Sequence, residues 1–146
     1  MDERVDIKFG ALDDALGYRL RRAQIAVFED FGRRFAALDL TPAQFSTLVV
    51  IAENPDRRQS DIAAALGVQR PNFVSLMDAL ETRGLATRVR SGADRRANAL
   101  KLTPAGAALL KQALALQADQ EAAIRARIGE PERQRLMQTL AALSGL

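Results

Sequence analysis

Apolar residues recur at Leu12, Leu16, Leu20, Ala23, Val27, Phe31, Phe35 and Leu38, in steps of three and four. That spacing predicts one face of a long helix over Leu12–Leu38. Thr41, Pro42 and Gln44 then predict a capping box with Pro at the first helical position, opening a second helix that runs to about Glu53. Pro55 disfavours helix at Asn54 and ends it. "SDIAAAL" predicts a short third helix closed by Gly67, and a fourth runs from about Arg70 to Arg83, closed by Gly84.

The period then changes. "LATRVR" and "ALKLT" read as two strands, and the "SGADRRAN" between them is rich in turn formers. Thr103-Pro104 repeats the cap signal and opens a long helix, rich in Ala and Leu, to about Ile128. Gly129 breaks it, and a last helix from about Pro131 carries Leu136, Leu140 and Leu143 on one face. The fold class is mainly α with one small β-hairpin. The first helix and the last two carry more apolar residues than one small lobe can cover, which predicts a homodimer built from interlocking chain ends.

Two of the inner helices form a recognisable unit. "QSDIAAALGVQRPNFVSLMDAL" places two helices around a tight turn at Gly67, with small Ala63 at their crossing. Ile62, Leu66, Val68, Phe73, Leu76 and Leu80 would be the shared core. This is the pattern of a helix-turn-helix, whose second helix enters the major groove. The start of that second helix is polar and basic: Gln69, Arg70, Asn72 and Ser75. A hairpin follows at once and makes the unit a winged helix, its Arg-rich tip able to reach a neighbouring minor groove.

Charge agrees with this placement. From Arg57 to Lys101 there are nine basic and four acidic residues, while the remainder of the chain is slightly negative. A basic middle between acidic flanks suits a polyanion, double-stranded DNA above all, although an ordinary solvated basic face has the same composition. Arg outnumbers Lys 18 to 3, which favours bidentate contact with phosphate or guanine.

What is missing narrows the chemistry. The 146 residues include no Cys and no His. Thiol and imidazole catalysis, thiol redox switching and metal sites built on those ligands are excluded. The carboxylates form no acid/base motif and no phosphate-cradling Gly-rich loop occurs, so no enzyme, cofactor or metal is expected. No apolar run is long enough to cross a bilayer, and "MDERVDIKFG" lacks the apolar core of a signal peptide. A cytoplasmic location away from membranes is expected.

The order of elements, and "LETRGLATRVRSGADRRANALKLTPAG" in particular, resembles the MarR family of bacterial transcription regulators. The resemblance covers nearly the whole chain, and its most specific part is Asp94-x-Arg96 followed by Leu102-Thr103 and Gly106. It implies a single domain: residues 41–103 as the winged helix-turn-helix lobe, 10–38 and 104–146 as dimerisation helices. It also implies that Arg96 reads the minor groove, Asp94 braces it, and Arg95 meets phosphate. Arg70, Asn72 and Ser75 fall where the family reads the major groove. The expected function is a repressor that binds a pseudo-palindromic operator as a homodimer. The alternative is an architectural DNA-binding protein with no ligand switch.

Without Cys or His, a signal would have to be an organic ligand. In the family such ligands lodge between the dimerisation helices and the DNA-binding lobe, lined by the first, second and fifth helices. "LGYRLRRAQIAVFEDF" is the relevant segment, with the only Tyr of the chain, Tyr18, beside Arg19 and Arg22. At 100° per residue, Tyr18, Arg22, Ile25 and Phe28/Glu29 line a stripe beside the apolar face. A cation beside aromatics suits an aromatic carboxylate or a phosphate-bearing acyl-CoA thioester. The segment also resembles MarR members that control aromatic-acid breakdown, including ones that sense hydroxycinnamoyl-CoA. The competing reading makes Phe28 and Phe31 core and the arginines plain surface.

Overall fold

The computed structural model describes residues 7–90 and 98–145. The order is α1 (Leu16–Phe35), α2 (Pro42–Glu53), α3 (Gln59–Ala65), α4 (Arg70–Thr82), β1 (Ala86–Arg90), β2 (Asn98–Leu102), α5 (Pro104–Ile128) and α6 (Glu130–Ser144). The helix predicted over Leu12–Leu38 is shorter at both ends. Single 3-10 turns, Gly10–Leu12 and Ala36–Leu38, flank α1. The second turn ends at Asp39, whose left-handed backbone (φ 49°) reverses the chain toward α2.

Cap chemistry sets the start of α2. The Thr41 hydroxyl accepts from the Gln44 N–H at 3.2 Å, and the Gln44 side chain accepts from the Thr41 N–H at 3.0 Å. Two otherwise orphaned donors are satisfied, and such a cap contributes about 1 kcal/mol. α2 is the central helix, burying Phe45, Thr47, Leu48 and Ile51. Gly67, at φ 64°, makes the left-handed turn between α3 and α4 that a side chain would strain.

β1 and β2 pair antiparallel, with Ala86 opposite Leu102 and Arg88 opposite Leu100. The chain before α3 adds a short third edge, where the Leu100 N–H donates to the Arg57 carbonyl at 3.0 Å. β2 is thereby tied to the segment that leads into α3.

One core joins these parts. It contains Phe31 and Phe35 of α1, the buried face of α2, Ile62 and Ala63 of α3, Phe73, Met77 and Leu80 of α4, Leu100, and Leu110 and Ala113 of α5. Of the predicted shared core, Ile62, Phe73 and Leu80 are sealed, while Leu66, Val68 and Leu76 are partly buried. Met77, absent from that expectation, is fully buried, since it lies one turn beyond Phe73 on the same stripe.

The outer helices are different. Of the apolar stripe on α1, only Phe31 and Phe35 enter the core. Leu16 (59% exposed), Leu20 and Val27 of α1, with Leu136 and Leu143 (55%) of α6, lie open on the single chain. Among the described residues, no single helix is long and apolar enough to cross a membrane.

Candidate nucleic-acid interface

α4 is amphipathic in the required sense. Phe73, Met77 and Leu80 turn inward, and the opposite face exposes Pro71, Val74, Ser75 and Asp78. Gln69 is the N-cap residue and is exposed, yet no side chain caps this helix end. Arg70 and Asn72, in the first turn, are exposed too. The helix start therefore offers uncapped N–H groups and three polar side chains to solvent. The Ser75 hydroxyl donates to the Pro71 carbonyl at 3.3 Å, which leaves its lone pairs outward as acceptors. The structure thus brings Gln69, Arg70, Asn72 and Ser75 together on one exposed surface.

Two residues of this region escape the sequence reading. Val74 is 37% exposed beside Ser75. An apolar side chain there suits the methyl group of thymine, the one apolar mark in the major groove. Its helical phase, 100° from Phe73, was the available signal. The second is Arg88, only 18% exposed. Its guanidinium donates to the Gln59 side chain at 2.7 Å, to Asp78 at 2.7 Å, to the Val74 carbonyl at 3.2 Å and to Glu81. Its own N–H donates to Glu81 at 2.8 Å. One arginine on β1 thereby clamps α3, α4 and the hairpin together. Strand alternation puts Arg88 on the same face as buried Ala86, and that is the signal for it.

The basic surface needs correction accordingly. Arg88 is spent within the fold. Arg83 donates to the Leu38 carbonyl at 2.9 Å and to the Asp39 carbonyl. Lys101 pairs with Asp56 at 3.0 Å. Arg57, Arg58 and Arg70 are exposed and grouped at the starts of α3 and α4, whereas Arg83 and Lys101, exposed as well, are engaged by those partners. The hairpin strands end at Arg90 and begin again at Asn98, so Asp94, Arg95 and Arg96 lie outside the described residues.

The predicted effector residues are only partly assembled. The Arg22 guanidinium donates to the Tyr18 hydroxyl at 3.3 Å, and the Phe9 ring lies 5.7 Å from that of Tyr18. Arg19 instead turns back, donating to the Asp13 carbonyl at 2.9 Å. Phe28 is 48% exposed, whereas Phe31 is buried and stacks on Phe35. Of the competing expectation that both phenylalanines are core, only Phe31 fits. Tyr18 and Phe28 sit ten residues apart on α1, about 15 Å along its axis, so only an extended ligand could touch both.

Comparison with known proteins adds relatives to this geometry. The sequence profile of the MarR family matches residues 38–97. The chain is 36% identical over 129 residues to a transcriptional regulatory protein attributed to the hcr operon of Thauera aromatica, spanning 88% of this chain and 78% of that one. It is 46% identical to the transcriptional repressor CouR bound to a 23-mer DNA duplex, with a TM-score of 0.91 over 96% of this chain and 99% of that one. CouR bound to p-coumaroyl-CoA matches at 44% identity and a TM-score of 0.90, over 95% and 98% of the two chains. The PcaV regulator of Streptomyces coelicolor, 20% identical over 95% and 98% with a TM-score of 0.83, shares the fold.

Proposed function

Because this chain belongs to the MarR family of transcription regulators, we propose that it is a repressor released from a pseudo-palindromic operator by an aromatic acid or its acyl-CoA thioester. It is a DNA-binding regulator and not an enzyme, and family members act as dimers. The observation that carries the proposal is the near-complete superposition on CouR, a repressor known with DNA and with p-coumaroyl-CoA.

In this reading residues 41–103 hold the DNA, with Gln69, Arg70, Asn72, Val74 and Ser75 facing the major groove. Arg96, braced by Asp94, enters the minor groove, and Arg95 meets phosphate. Residues 10–38 and 104–146 form the dimer, which covers the apolar faces left open on α1 and α6. Such a protein works in the cytoplasm, beside the chromosome. The effector lies against α1, its aromatic part toward Phe28 and its anionic part toward Tyr18, Arg19 and Arg22. The Tyr18–Arg22 contact supports this, because a phenol donating from beside a guanidinium makes an anion site.

The test is a thermal-shift comparison of p-coumaroyl-CoA, free p-coumarate and CoA, followed by DNA release with each. A ligand that prefers the folded state raises its melting temperature. Stabilisation and DNA release by the thioester, lost together in Arg22→Ala, is the expected result. Release by none of the three would reject the effector class, and unchanged response in both Arg19→Ala and Arg22→Ala would move the pocket elsewhere.

A further inference from the structure

The proposal above leaves open how a ligand against α1 reaches α4. Arg83 is the C-cap residue of α4, and its backbone N–H bonds to the carbonyls of Ala79 and Glu81. Its side chain leaves the lobe and spans to the turn that closes α1. There one guanidinium nitrogen donates to the Asp39 carbonyl and the other to the Leu38 carbonyl at 2.9 Å. A planar two-pronged donor on two successive carbonyls resists both sliding and rotation.

The turn it grips is stiff. Asp39 holds a left-handed backbone, and its N–H donates to the Ala36 carbonyl at 3.2 Å. On one side of the turn Phe35 is buried in the core, and on the other so is Leu40. The same helix carries Tyr18, Arg19 and Arg22 near its other end and Phe28 in between. A displacement of α1 therefore arrives at Leu38 and Asp39 as a movement of the two carbonyls that Arg83 holds. Both bonds are solvent-exposed, so each contributes little to global stability. That combination suits a linkage that is easily shifted without unfolding the lobe.

We propose that Arg83 is a positioning residue that links α1 to the recognition helix, so that effector binding alters DNA affinity through its fork on the Leu38 and Asp39 carbonyls. This rests on the ligand-responsive reading above. The coupling is the ratio of operator Kd with and without effector, a quantity that a purely structural contact leaves alone.

The experiment uses full-length dimer, p-coumaroyl-CoA and an operator duplex selected from random DNA by the wild-type protein. For wild type the thioester should weaken operator binding on the order of tenfold or more. Arg83→Ala should bind the thioester alone, and the operator alone, with nearly wild-type affinity, while the ratio falls toward one. Arg83→Lys, able to hold a single carbonyl, should recover part of it. A wild-type ratio in Arg83→Ala overturns the proposal, and so does loss of operator binding without thioester, which would make Arg83 part of the scaffold. Absence of any release in wild type rejects the effector reading itself, at the control, before the variants are compared.

Discussion

Gly106 lies against the carbonyl of Leu85 so closely that a β-carbon on it would stand 1.8 Å from that oxygen. The approach is held by Thr103. Its hydroxyl accepts from the Gly106 N–H at 2.9 Å and donates to the Gly84 carbonyl at 2.6 Å, while its N–H donates to Leu85 at 3.1 Å. The start of α5 is thus welded to the end of α4 at the hairpin base. Because the obstacle is backbone, Gly106→Ala cannot be relieved by a rotamer change. We expect a loss of about 3 kcal/mol, read as a lowered urea midpoint at fixed dimer concentration. Gly17→Ala, in open space on α1, is the matched control and should not destabilise.

Arg88→Ala removes a clamp and not a DNA contact. Glu81 and Asp78 lose their cation, and α3, α4 and β1 lose their common partner. We expect about 2 kcal/mol of destabilisation, together with weaker operator binding from a misplaced helix and hairpin. The salt dependence of the residual binding should keep its wild-type slope, because no phosphate contact has gone. A flattened slope would instead make Arg88 a phosphate ligand.

The hairpin tip gives the contrasting pattern. Arg96→Ala should weaken operator binding by about 1–3 kcal/mol with a relaxed sequence preference. Asp94→Ala should act in the same direction and less strongly. Arg95→Ala should weaken operator and non-operator DNA alike and reduce the salt slope by about one. Fluorescence anisotropy across a salt series separates the three, and unchanged affinity in Arg96→Ala would reject the minor-groove role.

Asp30 predicts a pH dependence. It accepts from Arg34 at 2.6 Å, from Arg33 at 3.1 Å and from Gln120 of α5 at 3.2 Å. The Arg34 hydrogen bond, foremost, holds its carboxyl below the ordinary value of 3.8, against a smaller opposing effect of desolvation. A folded value below the unfolded one means a stabilisation that is whole above about pH 4 and is lost as pH falls through the folded value. Asp30→Asn should therefore be less stable than wild type at neutral pH, and the gap in urea midpoint should narrow on acidification. A gap that stays constant down to about pH 3 would remove Asp30 from the acid response.

Local chemistry was legible in the amino-acid order itself. The capping box of Thr41 and Gln44, the stops at Gly67 and Gly84 and the inward stripe of α4 depend on neighbours within four residues, so their spacing announces them. The absence of His and Cys likewise restricted the chemistry without any fold. The polar start of α4 was readable for the same reason, since the first two helix turns place Gln69, Arg70, Asn72 and Ser75 near one another.

What each arginine does was decided only by tertiary structure. Arg88 finds Gln59 29 positions away, and Arg83 finds Asp39 44 positions away. A guanidinium on the surface and one spent on a turn are the same letter, and only the packing of α1, α4 and β1 selects the partner. The apolar stripe of α1 is divided in the same way: the lobe takes Phe31 and Phe35, and leaves the residues nearer its start exposed on the single chain. Periodicity reports that a face is apolar. Which body covers it depends on how far the core extends, and on α1 that core stops at Phe31, about one turn short of the exposed Phe28.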